Sequence, residues 1–161
     1  MEANVLAIQH LRYGCELFAV KEASCNLCHG EDGVLEFVVK VATGPVIQRV
    51  KELEGVIDAE PWFEAAAVLP AQDLEIYEGR VIEQAAGYDY SRKENLSNFC
   101  YFAHESIENL RIELHQVTED WIDATVSGDT TVSGSNGTEP DAEISLRTRF
   151  RREKKLKRSF R

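Results

Sequence analysis

The residues best suited to chemistry lie together in the segment Cys25-Asn26-Leu27-Cys28-His29. Two thiols at this spacing can bind one tetrahedral zinc ion, with Cys15 or His29 as a further ligand. The same string matches the C-x-x-C-H pattern of c-type haem attachment, in which the thiols bond the haem and the histidine ligates iron. Zinc fits better than haem, because the sole methionine is the first residue and no distal methionine is present. Cys25, Cys28 and His29 are therefore the candidate metal ligands.

A simpler interpretation competes with a metal site. Cys15 and Cys100 read as small core residues, because free cysteine is among the most buried residue types. Cys100 and His104 lie four positions apart in a predicted strand, Phe99–His104. That spacing would separate them by roughly 13 Å, too far to share an ion. The sequence thus favours a protein without a cofactor, with zinc binding by the Cys25–His29 segment as the alternative.

Catalytic signatures are missing from the sequence. It lacks the glycine patterns of phosphate-binding loops and of nucleophile elbows, and the start of an H-E-x-x-H motif at His104-Glu105 is broken by Glu108. With 28 acidic residues, any pair of carboxylates can be imagined, so such pairs carry no weight. The sequence leans towards a protein that is not an enzyme.

Charge is distributed very unevenly along the chain. The formal net charge is −10, but residues 147–161 carry nine basic residues and one acid, a net +8, while the remainder carries nine basic and 27 acidic residues, a net −18. A body this acidic disfavours non-specific binding to nucleic acid and favours docking onto a basic protein partner, because complementary charge speeds association. Small acidic immunity proteins that neutralise basic nucleases share this charge and size, although no motif links the chain to them.

The basic C-terminal residues offer a second interaction surface. Arg147, Arg149 and Arg151 are expected on the outward face of the last strand and are the candidate partner-binding residues. Residues 153–161 are expected to form a flexible basic tail that could contact nucleic acid. The same charges could instead protect an edge strand from pairing, or the tail could fold onto the acidic body.

Strands dominate the predicted fold. Several segments alternate apolar and polar residues, which is typical of strands with one buried face. The long connection Gly128–Ala142 contains Asn136-Gly137, a strong hairpin turn signal, and lies directly before the arginine row. The alternating apolar residues are Leu35, Phe37, Val39 and Val41; Leu110, Ile112 and Leu114; Ile122, Ala124 and Val126; and Ile144, Leu146 and Phe150.

One helix is predicted at about residues 45–54, packed on the sheet. Pro45 suits the first turn of a helix, and Gly55 suits its end. The apolar residues between them follow helical spacing at Val46, Ile47, Val50 and Leu53. The sequence therefore predicts a single α+β domain over residues 1–152, mainly an antiparallel sheet with this one well-defined helix.

The cytoplasm is the expected compartment. The first residues lack the basic and apolar regions of a secretory signal. No apolar run approaches the ~20 residues that span a bilayer, so no membrane span is expected. In the cytoplasm the four cysteines are expected to be reduced.

Overall fold

The computed structural model describes residues 1–30, 32–56 and 59–154, and within them the chain is almost entirely strand. One 3₁₀ turn, Lys51–Leu53, is the sole helical segment in these ranges. The strands are β1 (Val5–His10), β2 (Gly14–His29), β3 (Leu35–Gln48), β4 (Trp62–Val68), β5 (Val81–Gln84), β6 (Tyr88–Asp89), β7 (Glu94–Asn95), β8 (Ser97–Cys100), β9 (His104–Glu105), β10 (Glu108–Val117), β11 (Trp121–Thr130) and β12 (Ala142–Arg152).

Ten of these strands form one sheet, in the order β5-β10-β11-β12-β1-β2-β3-β4-β8-β9. Neighbours in this order pair antiparallel, and β12 also makes a short parallel contact with β2 through Arg151 and Arg152. The strands β6 and β7 form a separate two-stranded ribbon. The antiparallel pairing and the C-terminal three-stranded meander agree with the sequence prediction.

The sheet wraps around one hydrophobic core. Residues from strands near both ends of the sheet belong to the same buried cluster, as the alternation of apolar residues predicts. Backbone hydrogen bonds link β4 to the segment that follows β5: the amide of Ala66 donates to Leu96, and the amide of Leu96 donates to Gly87. The central members of the core are Leu6, Ile8, Phe18, Phe37, Phe63, Phe99, Ile112, Leu114, Val126, Ile144, Leu146 and Phe150.

The predicted helix at residues 45–54 is wrong, and the α+β class is wrong with it. Strand β3 continues to Gln48, and the side chains of Val46 and Ile47 are 43% and 55% exposed instead of packing on a sheet. Only Val50 and Leu53 of the expected apolar stripe are buried, in and beside the 3₁₀ turn. The described ranges hold no helix with the length and hydrophobicity needed to cross a membrane.

Edge position explains why Pro45 is tolerated in a strand. Pairing between β3 and β4 ends at Ala42 with Trp62, so among the described strands the rest of β3 pairs with β2 alone. Pro45 falls within a shift of register between β3 and β2 and has no strand partner there. The lack of an N–H group on Pro45 costs little free energy at such a place. The β-branched residues that follow Pro45 favour the extended conformation over a helix.

We expect Gly87→Ala to lower the free energy of unfolding by about 1–3 kcal/mol, because overpacked positions force the backbone to move. A Cβ at Gly87 would lie 2.7 Å from the carbonyl oxygen of Ile107, 2.8 Å from Cβ of Ser106 and 2.9 Å from Oγ of Ser97. Gly44→Ala is the control, since its Cβ would meet nothing closer than 3.8 Å. Urea denaturation compares the two, and equal stability of both variants would contradict the close approach.

Candidate functional site

The predicted metal ligands do not converge. They lie on β2, where successive side chains point to opposite faces, so residues three apart such as Cys25 and Cys28 face opposite ways. Cys25 is 1% exposed and belongs to the core, whereas His29 is exposed at the end of the strand. Burial raises the pKa of Cys25 to about 12, although Arg152 nearby acts in the opposite direction. The thiol of Cys25 is therefore protonated at neutral pH.

Metal binding by Cys25, Cys28 and His29 stays a prediction without support from this geometry. Across residues 1–30, 32–56 and 59–154, no three His, Cys, Asp or Glu side chains are grouped so that they could hold one ion. All four cysteines are free thiols.

The arginine row lies on the outward face of β12, as predicted, and each arginine already contacts a neighbour. Arg147 and Arg151 are paired with carboxylates, while Arg149 stacks on an indole ring. Of the basic tail, residues 155–161 lie outside the described residues, and partner binding by the row stays a prediction. The contacts are Arg147 Nη2 to Asp123 Oδ2 at 3.1 Å, Arg149 Cζ to the Trp121 ring centroid at 3.8 Å, and Arg151 Nη2 to Glu153 Oε1 at 2.6 Å.

A buried polar network surrounds Glu16, which is 0% exposed. Its Oε1 lies 2.8 Å from Nε2 of His10 and accepts a hydrogen bond from the Tyr101 hydroxyl at 3.0 Å. Its Oε2 lies 3.6 Å from Nε of Arg49 and accepts the amide of Val50 at 3.4 Å. Burial, followed by the charge of Glu16, raises the pKa of Tyr101 well above its usual value, so the phenol remains a donor. A fully enclosed carboxylate cannot meet a substrate, and the network serves to join β1, β2 and the Tyr101 segment.

An open cleft of about 640 Å³ lies where β1, β11 and β12 meet the loop 131–141. Asp129, Glu139, Asp141 and Glu143 line it, and we call it the acidic cleft. Its lining contains no lysine or arginine, and none of its four carboxylates makes an ion pair with a described basic residue. The acidic cleft thus combines access with carboxylates that form no ion pair among the described residues.

Strand register brings two of these carboxylates together. Asp129 on β11 lies directly opposite Glu143 on β12, and both side chains point outward. Like charges in this position destabilise a pair of strands. The side chain of Asn109 donates to Oδ2 of Asp129 at 2.9 Å, which offsets part of the repulsion without neutralising the charge.

Asp141 shapes the wall of the acidic cleft. Its carboxylate, in a residue 2% exposed, accepts hydrogen bonds from the amides of Val132, Ser133 and Ser135 and from the Ser133 hydroxyl. Burial alone would raise the pKa of Asp141, but these hydrogen bonds outweigh it and leave the pKa below its ordinary value. Asp141 therefore holds the loop in place, and the open carboxylates are those of Asp129, Glu139 and Glu143.

Cys100 and His104 are brought together by a reversal of the chain that the sequence did not predict. A continuous strand over Phe99–His104 would separate them, but β8 ends at Cys100 and β9 begins at His104, and the two residues pair directly. Sγ of Cys100 lies 3.8 Å from Nε2 of His104, and the amide group of Asn98 lies beside Nδ1. The turn at residues 101–103 contains no glycine or proline, so no residue type typical of turns indicates it in the sequence.

No family model, no curated protein and no solved structure matches this chain. Among the surfaces described above, the acidic cleft alone unites an open cavity with carboxylates that lack a described basic partner. It is the candidate functional site.

Proposed function

We propose that this protein is an acidic binding protein whose acidic cleft receives a basic segment of a protein partner. The observation that carries the proposal is the set of three open carboxylates, on Asp129, Glu139 and Glu143, in one cleft without a lysine or arginine in its lining. The residues outside 147–161 carry a net charge of −18, which also attracts a basic partner.

A basic side chain would relieve the electrostatic repulsion between two carboxylates of the cleft. The carboxylates of Asp129 and Glu143 face each other across two strands, and a guanidinium or ammonium group between them would convert repulsion into two charge-assisted hydrogen bonds. The side-chain amides of Gln9, Asn109 and Asn136 also line the cleft. Amides both donate and accept hydrogen bonds, so they suit the backbone of an extended peptide.

The acidic body has a kinetic advantage for such a partner. Long-range attraction raises the rate of encounter between oppositely charged proteins, and it weakens as salt screens the charges. We place this binding in the cytoplasm, a proposal supported by four cysteines that are all free thiols.

Two variants of equal charge change test the proposal. The cleft variant carries Asp129→Asn, Glu139→Gln and Glu143→Gln, and the control variant carries Glu52→Gln, Glu54→Gln and Glu60→Gln. The control residues are exposed and lie on the segment that follows β3. Each tagged protein is incubated with native lysate at low salt and at high salt, and the retained proteins are identified by mass spectrometry.

We expect the wild type and the control variant to retain the same basic protein at low salt, and the cleft variant to lose it. High salt should release it from the wild type and from the control variant, because the attraction is electrostatic. Failure of the wild type to retain any basic protein at low salt would contradict the proposal. Equal loss from both variants would show that total charge, and not the acidic cleft, governs binding.

A further inference from the structure

We propose that Cys100, His104 and Asn98 form a nucleophilic thiol site that accepts an acyl group from a small ester or thioester. Sγ of Cys100 lies 3.8 Å from Nε2 of His104, and Nδ1 of His104 lies 3.2 Å from Oδ1 and 3.1 Å from Nδ2 of the Asn98 amide. A nucleophile beside a base that a third group orients is the arrangement that activates thiols and hydroxyls on many unrelated folds.

The β8–β9 hairpin positions all three side chains. Asn98 and Cys100 are two residues apart on β8, so they share a face, and His104 pairs with Cys100 from β9. Nδ1 of His104 lies within hydrogen-bond distance of both Oδ1 and Nδ2 of Asn98. In the tautomer that the reaction requires, Oδ1 accepts the Nδ1 proton and Nε2 carries a lone pair on the side of the thiol. Both hydrogen bonds lie at the protein surface, where a small molecule has access.

A concave surface adjoins two of the three residues. Asn98 and His104 line a cavity of about 280 Å³, together with Asn95, Ser97 and Glu105. On the neighbouring strand, the ring of Trp62 packs edge-on against His104 at 6.0 Å between centroids, and Trp62 itself lines a second cavity of about 220 Å³. His104 and Asn98 thus border a polar recess large enough for a small acyl donor, and His104 also contacts the indole ring of Trp62.

One proton moves during the proposed acyl transfer, from the thiol to His104 and then to the leaving group. His104 Nε2 takes the thiol proton as Sγ attacks the carbonyl carbon of the ester. The new Sγ–C bond forms, the C–O bond to the alcohol breaks, and the proton passes from Nε2 to the departing oxygen. Cys100 is left as a thioester, and the alcohol is released. Water attacking that thioester, with Nε2 again accepting and returning one proton, gives the carboxylic acid and restores the thiol.

The test uses the full chain and p-nitrophenyl acetate. Release of p-nitrophenolate follows the overall rate, and peptide mass mapping at successive times gives the acetylation rates of Cys15, Cys28 and Cys100 in one sample. The half-buried thiols of Cys15 and Cys28 are internal references. We expect Cys100 to be acetylated at least about tenfold faster than either, in line with the contribution of a positioned general base.

Variants separate base assistance from simple exposure. His104→Gln should slow Cys100 acetylation by about tenfold or more while leaving Cys15 unchanged. Asn98 is a positioning residue: Asn98→Ala should slow the reaction, and Asn98→Asp, which keeps an acceptor for Nδ1–H, should restore it. Equal rates at the three cysteines, or an unchanged Cys100 rate in His104→Gln, would overturn the proposal. Should His104→Gln fail to fold, equal rates in Asn98→Ala and Asn98→Asp would overturn it as well.

Discussion

Glu16→Ala is expected to lower the free energy of unfolding by about 3–5 kcal/mol, the usual cost of removing one partner from a buried charged network. Glu16 is fully enclosed, and its carboxylate is the common partner of His10, Tyr101 and Arg49. Without it the Tyr101 hydroxyl loses its acceptor, and Arg49, which also lies over the Phe18 ring, loses its counter-charge. A largely enclosed cation without a counter-charge costs more than the loss of one surface contact.

Urea denaturation of Glu16→Ala and of Glu22→Ala checks this expectation. Glu22 lies on the same strand and is exposed, so its replacement should change the free energy of unfolding by no more than about 0.5 kcal/mol. A small effect of Glu16→Ala, close to that of the control, would mean that the network adds little to stability.

Asp141→Ala should be the second most damaging substitution, lowering the free energy of unfolding by about 2–4 kcal/mol because buried donors are left without an acceptor. The amide of Val132 is buried and has the Asp141 carboxylate as its partner at 2.7 Å. The amides of Ser133 and Ser135 lose the same acceptor but are nearer to water. The loop that walls the acidic cleft should loosen, which amide hydrogen exchange of residues 131–141 would detect.

The cost of Asp141→Ala should depend on pH in a defined direction. The pKa of Asp141 lies below its ordinary value of 3.8 in the folded protein. A carboxyl with a depressed folded pKa contributes stability that is present above 3.8 and is lost as the pH falls through the folded pKa. The difference in unfolding free energy between wild type and variant should therefore be constant near neutrality and shrink below pH 3.8. A difference that grows on acidification would contradict this sign.

Period-2 alternation made the C-terminal half of the fold predictable. Leu110, Ile112 and Leu114 are buried on β10 because a sheet with one face in the core admits only one register of apolar residues. The same pattern identified β11 and β12 and placed the arginine row on the outward face. Local pattern sufficed there because each strand pairs with its neighbour in sequence.

The helix predicted at residues 45–54 was wrong because the sequence features used to predict it are compatible with both a helix and an edge strand. Pro45 fits the first turn of a helix, but it also fits an edge position where no strand neighbour needs its amide. The apolar residues Val50 and Leu53 are buried in either case. The choice between helix and strand depended on pairing with β2, a contact distant in sequence that periodicity does not encode.

The acidic cleft could be located only in part from the sequence. The turn signal Asn136-Gly137 indicated the long hairpin that forms its wall. With 28 acidic residues, however, nothing distinguished Asp129 and Glu143 from the rest. Their proximity follows from the β11–β12 register, and the contribution of Gln9 follows from β1 pairing with β12.

Chemical-shift mapping tests the acidic cleft most directly. An arginine-rich peptide is titrated into the ¹⁵N-labelled protein at low salt. Saturable shifts of backbone amides should concentrate at Asn109, Asp129, Asn136, Glu139 and Glu143, and the variant with Asp129→Asn, Glu139→Gln and Glu143→Gln should lose them. Shifts centred on Glu52, Glu54 and Glu60, or spread over the surface without saturation, would contradict a basic ligand in the acidic cleft.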